Sequence, residues 1–334
     1  MRVAAILHPY DNDRVLAPFR LPDANIFRGN SLEAGDLPDA AIVFGGDGSV
    51  HRVIQVLARS SCPLLVVPTG SGNDFANAIG IRTVEDALRA WKLFLGGKGK
   101  IKTIDLGVIT PMTERPPVQD EDAVPVQSAT FIREDGTFEK PKDKLGSAIM
   151  RQHLHFLYDA INSERYFCCV AGSGLDAETN RLANHLPGWV RRFGGYVGCA
   201  VVSLLGYRAQ TMTVSLAGED GSFRARISEP AMFVAIGNAD AYGRGMRITA
   251  RAELNDGLLD VCFVRRTSAV RVLRVLHTVF RGGHLKLPEI EYFRAKHLWL
   301  ESESPLAIYA DGEYICETPA EIRVRPASLN VMVV

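Results

Sequence analysis

The stretch AIVFGGDGSVHRVIQVLARSSCPLLVVPTGSGNDFANAIGI, residues 41 to 81, constrains the fold more than any other part of the chain. Two short apolar runs each end in a glycine-rich turn, and each turn carries an aspartate. A buried strand that ends in small residues and leads into a helix can aim backbone N–H groups at an anion. Glycine adopts positive φ at little cost and has no Cβ to block the approach. Gly45, Gly46 and Gly48 supply that freedom in the first turn, with Ser49 as a hydroxyl donor. Thr69, Gly70, Ser71 and Gly72 do so in the second, and Asn73 and Asp74 open the next helix. If the two strands are parallel neighbours, both turns reach the same sheet edge, where open α/β sheets bind ligands. Neither turn matches GxGxxG or GxxxxGK[ST], and neither contains lysine. Asp47 needs its own explanation, because a carboxylate repels a phosphate. Three roles are open to it: a helix cap, a ligand for a magnesium ion shared with phosphates, or a proton acceptor. A plain tight turn with an aspartate cap competes evenly with these on the first motif alone. Two such turns together favour one phosphate-binding cleft.

The surrounding pattern supports a parallel α/β unit. RVAAILH, AAIVFGG and PLLVVPTG read as buried strands. SVHRVIQVLARS and TVEDALRAWKLFLGG read as helices, the second with Thr83 as N-cap and Gly96–Gly97 as its stop. This α/β nucleotide-binding domain is expected over residues 1–103. From Pro111 the chain turns polar, and a surface insertion is expected over about 111–160, with SATFIREDGTFEKPK as a hairpin. Many short strand-like runs follow, so 104–321 is expected to form a β-rich second domain. GWVRRFGGYVGCAVVSLLGYR and SAVRVLRVLHTVFRG read as helices within it, and the last strand, 322–334, is expected to return to the first domain.

Composition narrows the function classes. Lys plus Arg equals Asp plus Glu, 38 each, which argues against a nucleic-acid binder. The six cysteines form no CxxC pair and sit mostly in apolar runs, as buried reduced thiols do. No secretory leader is visible, and GYVGCAVVSLLG is too short to span a bilayer. A cytoplasmic protein is expected.

GGDGSV followed by PTGSGNDFANAIGI resembles the catalytic domain of the diacylglycerol kinase and sphingosine kinase superfamily, most closely its soluble bacterial members. IDLGVI, YFCCVAGSGLDAE, AIGNADAYGRGMRITARAELNDGLLDV and YADGEYICETPAEIRVRPASLNVMV continue the resemblance in order. It implies an α/β domain of the NAD kinase and phosphofructokinase type followed by a β-sandwich-like, lipid-binding domain. It also implies ATP in the cleft, on Gly45, Gly46, Asp47, Gly48, Ser49, Gly70, Ser71 and Gly72, with Asn73 and Asp74 shaping the nucleotide pocket. By the same resemblance AELNDGLLD holds Mg²⁺ through Asp256, with Glu253 and Leu258 contributing backbone carbonyls. A plain Asn-Asp-Gly hairpin explains that stretch equally well from its residues. YADGEYI matches the motif whose acids take the proton from the lipid hydroxyl. Glu313 is expected to be the acceptor and Asp311 to position it or the metal, with Asp47 as the rival base. Residues two apart on a strand share a face, so one base suffices.

The chain departs from the family's pattern in two places. HPYDNDR replaces an Asn-Pro-x-x-Gly-type loop, with His8 and Asn12 read as phosphate donors or, in preference, as surface residues, and one helix–strand unit before Gly45 is shortened. The 111–160 insertion reads as a lid, a homodimer contact or an inert loop. The expected function is ATP-dependent phosphorylation of a lipid hydroxyl, on diacylglycerol or a sphingoid base, at a peripheral membrane surface. Arg191, Arg192 and Arg208 flank the apolar helix that would meet the bilayer, although a buried helix with a basic rim explains them as well. The alternatives are a NAD kinase-like enzyme and a nucleotide-binding regulatory protein without catalysis.

Overall fold

The computed structural model describes residues 1–7, 13–29, 32, 37–112, 164–184, 196–243 and 245–334. The polar insertion and its hairpin, His8, Asn12, Arg191 and Arg192 lie outside these residues.

The first domain is built on parallel pairing, as its apolar runs require. Strand β1 (Arg2–Leu7) lies between β2 (Asn25–Gly29) and β3 (Ala40–Gly45), and β3 pairs with β4 (Leu64–Pro68), all parallel. All six residues of β3 are buried, the mark of a strand covered on both faces. After a short α1 (Asp13–Leu16), the connection from β3 to β4 is α2 (Asp47–Leu57). Val50, Val53, Ile54 and Leu57 form its buried stripe. Helix α3 (Asp74–Ala78) and helix α4 (Val84–Leu95) follow β4. The capping box predicted in outline at Thr83 is complete: Thr83 accepts from the Asp86 amide and Asp86 accepts from the Thr83 amide. Trp91 of α4 is fully buried and donates its indole N–H to the Phe19 carbonyl at 2.9 Å.

Two long strands carry the sheet into the second domain. β5 (Lys100–Pro111) and β15 (Ala320–Val333) run antiparallel from Lys100↔Val333 to Pro111↔Ala320. Near its end β15 also pairs parallel with β4, through Val331↔Leu64. Leu329, Val331 and Met332 therefore join the core of the first domain, whereas Ala320 and Ile322 join that of the second. The division at residues 103 and 104 falls inside β5 rather than in a linker.

The second domain is antiparallel. β6 (Arg165–Phe167) pairs with β5. β7 (Val170–Gly174), β8 (Gln210–Ala217) and β10 (Leu259–Arg265) each pair with the long β9 (Phe223–Gly237). β11 (Ile290–Ala295) borders β10, and β12 (His297–Ser302) joins β8 to β15. The hairpin β13 (Ala307–Ala310) and β14 (Glu313–Glu317) attaches through β13 to β7. Helices α5 (Leu175–Asn184), α6 (Tyr196–Gly206) and α7 (Ala269–Val275) complete it. The helix predicted over SAVRVLRVLHTVFRG is shorter than expected: α7 ends at Val275 and the chain tightens into a 3-10 turn, Leu276–Arg281. RYFCCVAG is also two strands rather than one, broken at Cys168–Cys169.

Candidate active site

Both glycine turns lie at the same sheet edge, and they touch backbone to backbone. A Cβ on Gly46 would stand 2.3 Å from the Gly72 carbonyl oxygen, and one on Gly70 would stand 2.3 Å from the Gly46 Cα. No side chain fits between them. These glycines are thus required first by the packing of one turn on the other, a reason distinct from close approach to a phosphate. The Asp47 amide donates to the Gly72 carbonyl at 3.3 Å, and Asn73 braces its own turn by bonding both the amide and the carbonyl of Gly70.

Asp47 spans the two turns. Its Oδ1 accepts from the Phe75 amide at 3.0 Å and its Oδ2 from the Asp74 amide at 3.2 Å, which caps α3 rather than its own helix. Burial pushes its pKa up to about 6, helped by the nearby Asp74 and Asp311 carboxylates and opposed by the two amides. The N-terminus of α2, by contrast, has no side-chain cap at Gly46. Of its first-turn amides, that of Asp47 donates to the Gly72 carbonyl and that of Ser49 to the Gly46 carbonyl, which leaves the Gly48 amide and the helix dipole to attract an anion. Ser49 is packed against Gly45, where an added Cβ would lie 2.4 Å from its Oγ, while Ser71 is exposed on the second turn.

The DGE turn of the second domain meets the first turn directly. Glu313 is exposed at the start of β14, and a Cβ on Gly48 would lie 2.8 Å from its Oε1. A side chain at 48 would have to push that carboxylate aside. Asp311 and Glu313 do not share a strand face as expected, because Asp311 is a left-handed turn residue with φ 52° and β14 begins only at Glu313. The Asp311 side chain turns inward. It accepts from the Cys168 amide at 2.9 Å and the Cys169 amide at 2.8 Å, and lies 3.3 Å from His51 Nδ1. The strand break at Cys168–Cys169 presents those two amides. His51 belongs to α2, so Asp311 ties the DGE turn both to β6–β7 and to the helix whose N-terminus Glu313 overlooks. The two cysteines and Asp311 also stand close enough to surround a metal ion. Burial raises the Cys168 thiol to about 12, and the hydrogen bond with Cys168, followed by burial, holds Cys169 well above the ordinary thiol range. With the thiols neutral and the carboxylate held by two amides, the group is a hydrogen-bonded clasp.

Asp74 is buried and accepts from the Gly245 amide at 2.9 Å, so the second turn is also fastened to the second domain. The AELNDGLLD stretch forms a turn with Gly257 at φ 72°. Asp105, from IDLGVI, accepts from the Gly257 amide at 2.7 Å and the Ala327 amide at 2.8 Å, bracing this turn against β15. Asp256 Oδ1 accepts from the Leu258 amide at 3.0 Å, whereas its Oδ2 is buried without a hydrogen bond and 3.5 Å from Arg294. Asp260, fully buried on β10, also has an Oδ2 without a well-formed hydrogen bond, although the Tyr292 hydroxyl stands near it. Burial raises the Asp260 pKa, and Asp256 adds to the rise. The half-buried Asp256 and the buried Asp260 share Arg294 as counter-charge, at 3.5 and 3.2 Å, so a hard cation at these carboxylates would compete with that guanidinium. Glu253 has an exposed side chain. The positions of Asp105 and Asp260 beside this turn were not legible in the sequence, since nothing local marks them apart from other strand aspartates.

This arrangement, a glycine-turn α/β domain joined by returning strands to an antiparallel domain, defines a fold class shared with NAD kinases. The structure superposes on an Archaeoglobus fulgidus NAD kinase in complex with ATP (TM-score 0.50, 10% identity, covering 100% of this chain and 93% of that one). It superposes on a Bacillus anthracis diacylglycerol kinase structure with TM-score 0.58 at 16% identity, covering 100% of this chain and 97% of that one. The sequence is more specific than the fold. Residues 28–109 match the diacylglycerol kinase catalytic domain, and residues 169–333 match the YegS C-terminal NAD kinase beta sandwich-like domain. The chain thus carries a diacylglycerol kinase catalytic domain followed by a YegS C-terminal domain. Among its relatives are the diacylglycerol kinase of Mycobacterium tuberculosis, 29% identical over 88% of this chain and 76% of that one, and that of Bacillus subtilis, 22% identical over 85% and 74%.

Proposed function

We propose that this chain is an ATP-dependent lipid kinase that transfers the γ-phosphoryl group to the hydroxyl of a diacylglycerol- or sphingoid-type lipid. The observation that carries this reading is the meeting of Glu313 with Gly48 at the uncapped N-terminus of α2. An anion site from one domain and an accessible carboxylate from the other converge there. Phosphoryl transfer asks for little else beyond positioning and charge neutralisation. The Gly48 amide and the α2 dipole hold phosphate oxygens, and Ser71 reaches them from the second turn. Glu313 accepts the proton as the lipid oxygen bonds to the γ-phosphorus and the bond to the ADP oxygen breaks. Asp311, clasped by Cys168, Cys169 and His51, sets the turn that aims Glu313. A magnesium ion, when bound, neutralises phosphate charge, and Asp47 is the carboxylate of the cleft that would meet it. Asp256, with Asp260 beside it and the Glu253 and Leu258 carbonyls, would hold a second, bracing cation in competition with Arg294.

The acceptor class is read from the second domain. An almost wholly apolar cavity of ≈ 150 Å³ lies between α5, α6, β9 and the α7 segment. Its polar side includes Asp176, whose carboxylate bonds the Tyr242 hydroxyl at 2.5 Å. A lipid tail suits the apolar lining, and Asp176 suits a polar headgroup. No helix among the described residues is long and apolar enough to cross a membrane. The enzyme would therefore take its lipid from a bilayer surface, where Val202 and Leu205 of α6 are exposed next to Arg208.

The test is transfer of labelled phosphate from ATP to diacylglycerol and sphingosine in mixed micelles, with NAD as a soluble acceptor and EDTA as a control. Label in a lipid that disappears with EDTA is the expected result. Labelled NAD would replace this reading with a NAD kinase, and ATP binding without any labelled acceptor would replace it with a regulatory nucleotide binder.

A further inference from the structure

The segment from Arg266 to Lys286 has a composition and an exposure that do not suit ordinary protein surface. It contains five Arg or Lys residues and no acidic residue, in a chain whose net charge is zero. Eight of the thirteen residues from 269 to 281 are apolar, yet neither α7 nor the 3-10 turn after it has a buried residue. An amphipathic helix of a globular domain buries one face. This one turns Val272, Val275, Leu276 and Val279 to the cavity and still leaves Val270 66% and Phe280 51% exposed on its other side. Leu273 is 44% exposed and also lines the apolar cavity, so the segment is the wall between that cavity and the outside. Arg271 is engaged by Glu289 at 2.8 Å, whereas Arg266, Arg274, Arg281 and Lys286 are exposed.

We propose that this segment is the face with which the protein lies on an anionic bilayer. Val270 and Phe280 enter the boundary between headgroups and acyl chains, and Arg274, Arg281 and Lys286 meet lipid phosphates. Exposed apolar side chains among cations, with no acid between them, are the pattern of an interfacial helix. A second copy of the chain suits this face poorly, because a twofold interface would set the basic patch against itself. The proposal rests on the lipid kinase reading, since it gives the cavity wall direct contact with the membrane that holds the acceptor.

The experiment is flotation with vesicles of phosphatidylcholine, with and without phosphatidylglycerol, at low and high salt. Two variants avoid the cavity lining: Val270→Ser with Phe280→Ser, and Arg274→Glu with Arg281→Glu. The wild type is expected to float with the anionic vesicles and to release at high salt. Each double variant is expected to lose on the order of tenfold in vesicle affinity, while turnover of a short-chain, water-soluble acceptor stays at the wild-type rate. Vesicle binding unchanged in both variants would overturn the proposal. So would a fall in molecular mass with binding intact, which would assign the face to a second copy. If wild-type protein binds vesicles through these residues but phosphorylates no lipid, the docking face stands and the kinase reading falls.

Discussion

The two glycine-rich turns look alike as sequence, and their helices end in opposite ways. Helix α3, after the second turn, has two N-terminal amides closed by the Asp47 carboxylate. Helix α2, after the first turn, has none closed by a side chain and is faced by Glu313 from the other domain. One helix start is closed by a carboxylate and the other is only overlooked by one, so a short motif repeated in a chain need not repeat its surroundings. The carboxylate that joins them explains the difference. Asp47 starts α2 and caps α3, so α2 itself has no side-chain cap.

The comparison is broken most sharply at Glu313. Glu313→Gln keeps the shape and removes the proton acceptor, so kcat should fall by about 10²-fold or more, with the KM for ATP nearly unchanged. Steady-state kinetics read this split, and an unchanged kcat would move the base to Asp47. Gly46→Ala attacks the contact between the turns. A Cβ 2.3 Å from the Gly72 oxygen must push them apart, at a cost of about 2–3 kcal/mol. Urea denaturation and nucleotide titration should both show the damage, and a variant as stable as wild type would mean the turns do not pack as described.

Asp311→Ala removes the acceptor of two buried amides and should lower stability by about 1–3 kcal/mol. It should also lower kcat with the Glu313 side chain still present, because the turn loses its anchor to α2. Wild-type stability and kcat together would remove the clasp from its role. The smallest effect concerns Asp47→Asn. The raised pKa means that folded Asp47 holds a proton that the unfolded chain releases from about pH 4 upward. Wild type should therefore weaken relative to the Asn variant as pH rises through about 6, by about 1–2 kcal/mol at this half-buried site. Paired denaturation curves at acidic and neutral pH test the sign, and a gap that widens in the other direction would mean the carboxylate is stabilised in its ionised form.

Features set by neighbours along the chain were legible in advance. Thr83, Asp86 and the Gly96–Gly97 stop delimit α4 because a cap and a glycine act within one turn of helix. The buried runs of β1, β3 and β4 showed a parallel sheet for the same local reason. The α7 helix was overestimated, since an apolar 3.6-residue period continues past the point where the chain tightens to 3-10 geometry. The break at Cys168–Cys169 was invisible, because an apolar run gives no sign that two of its amides turn toward a carboxylate at 311.

By itself, the sequence determined the two turns, the order of strands and helices and the acids available for chemistry, because these follow from residue type and short-range spacing. Tertiary structure alone decided which acid faces the uncapped helix end and which is locked away. Glu313 and Asp311 differ only in where a turn points them, and that turn is held by His51, Cys168 and Cys169, residues more than a hundred positions away.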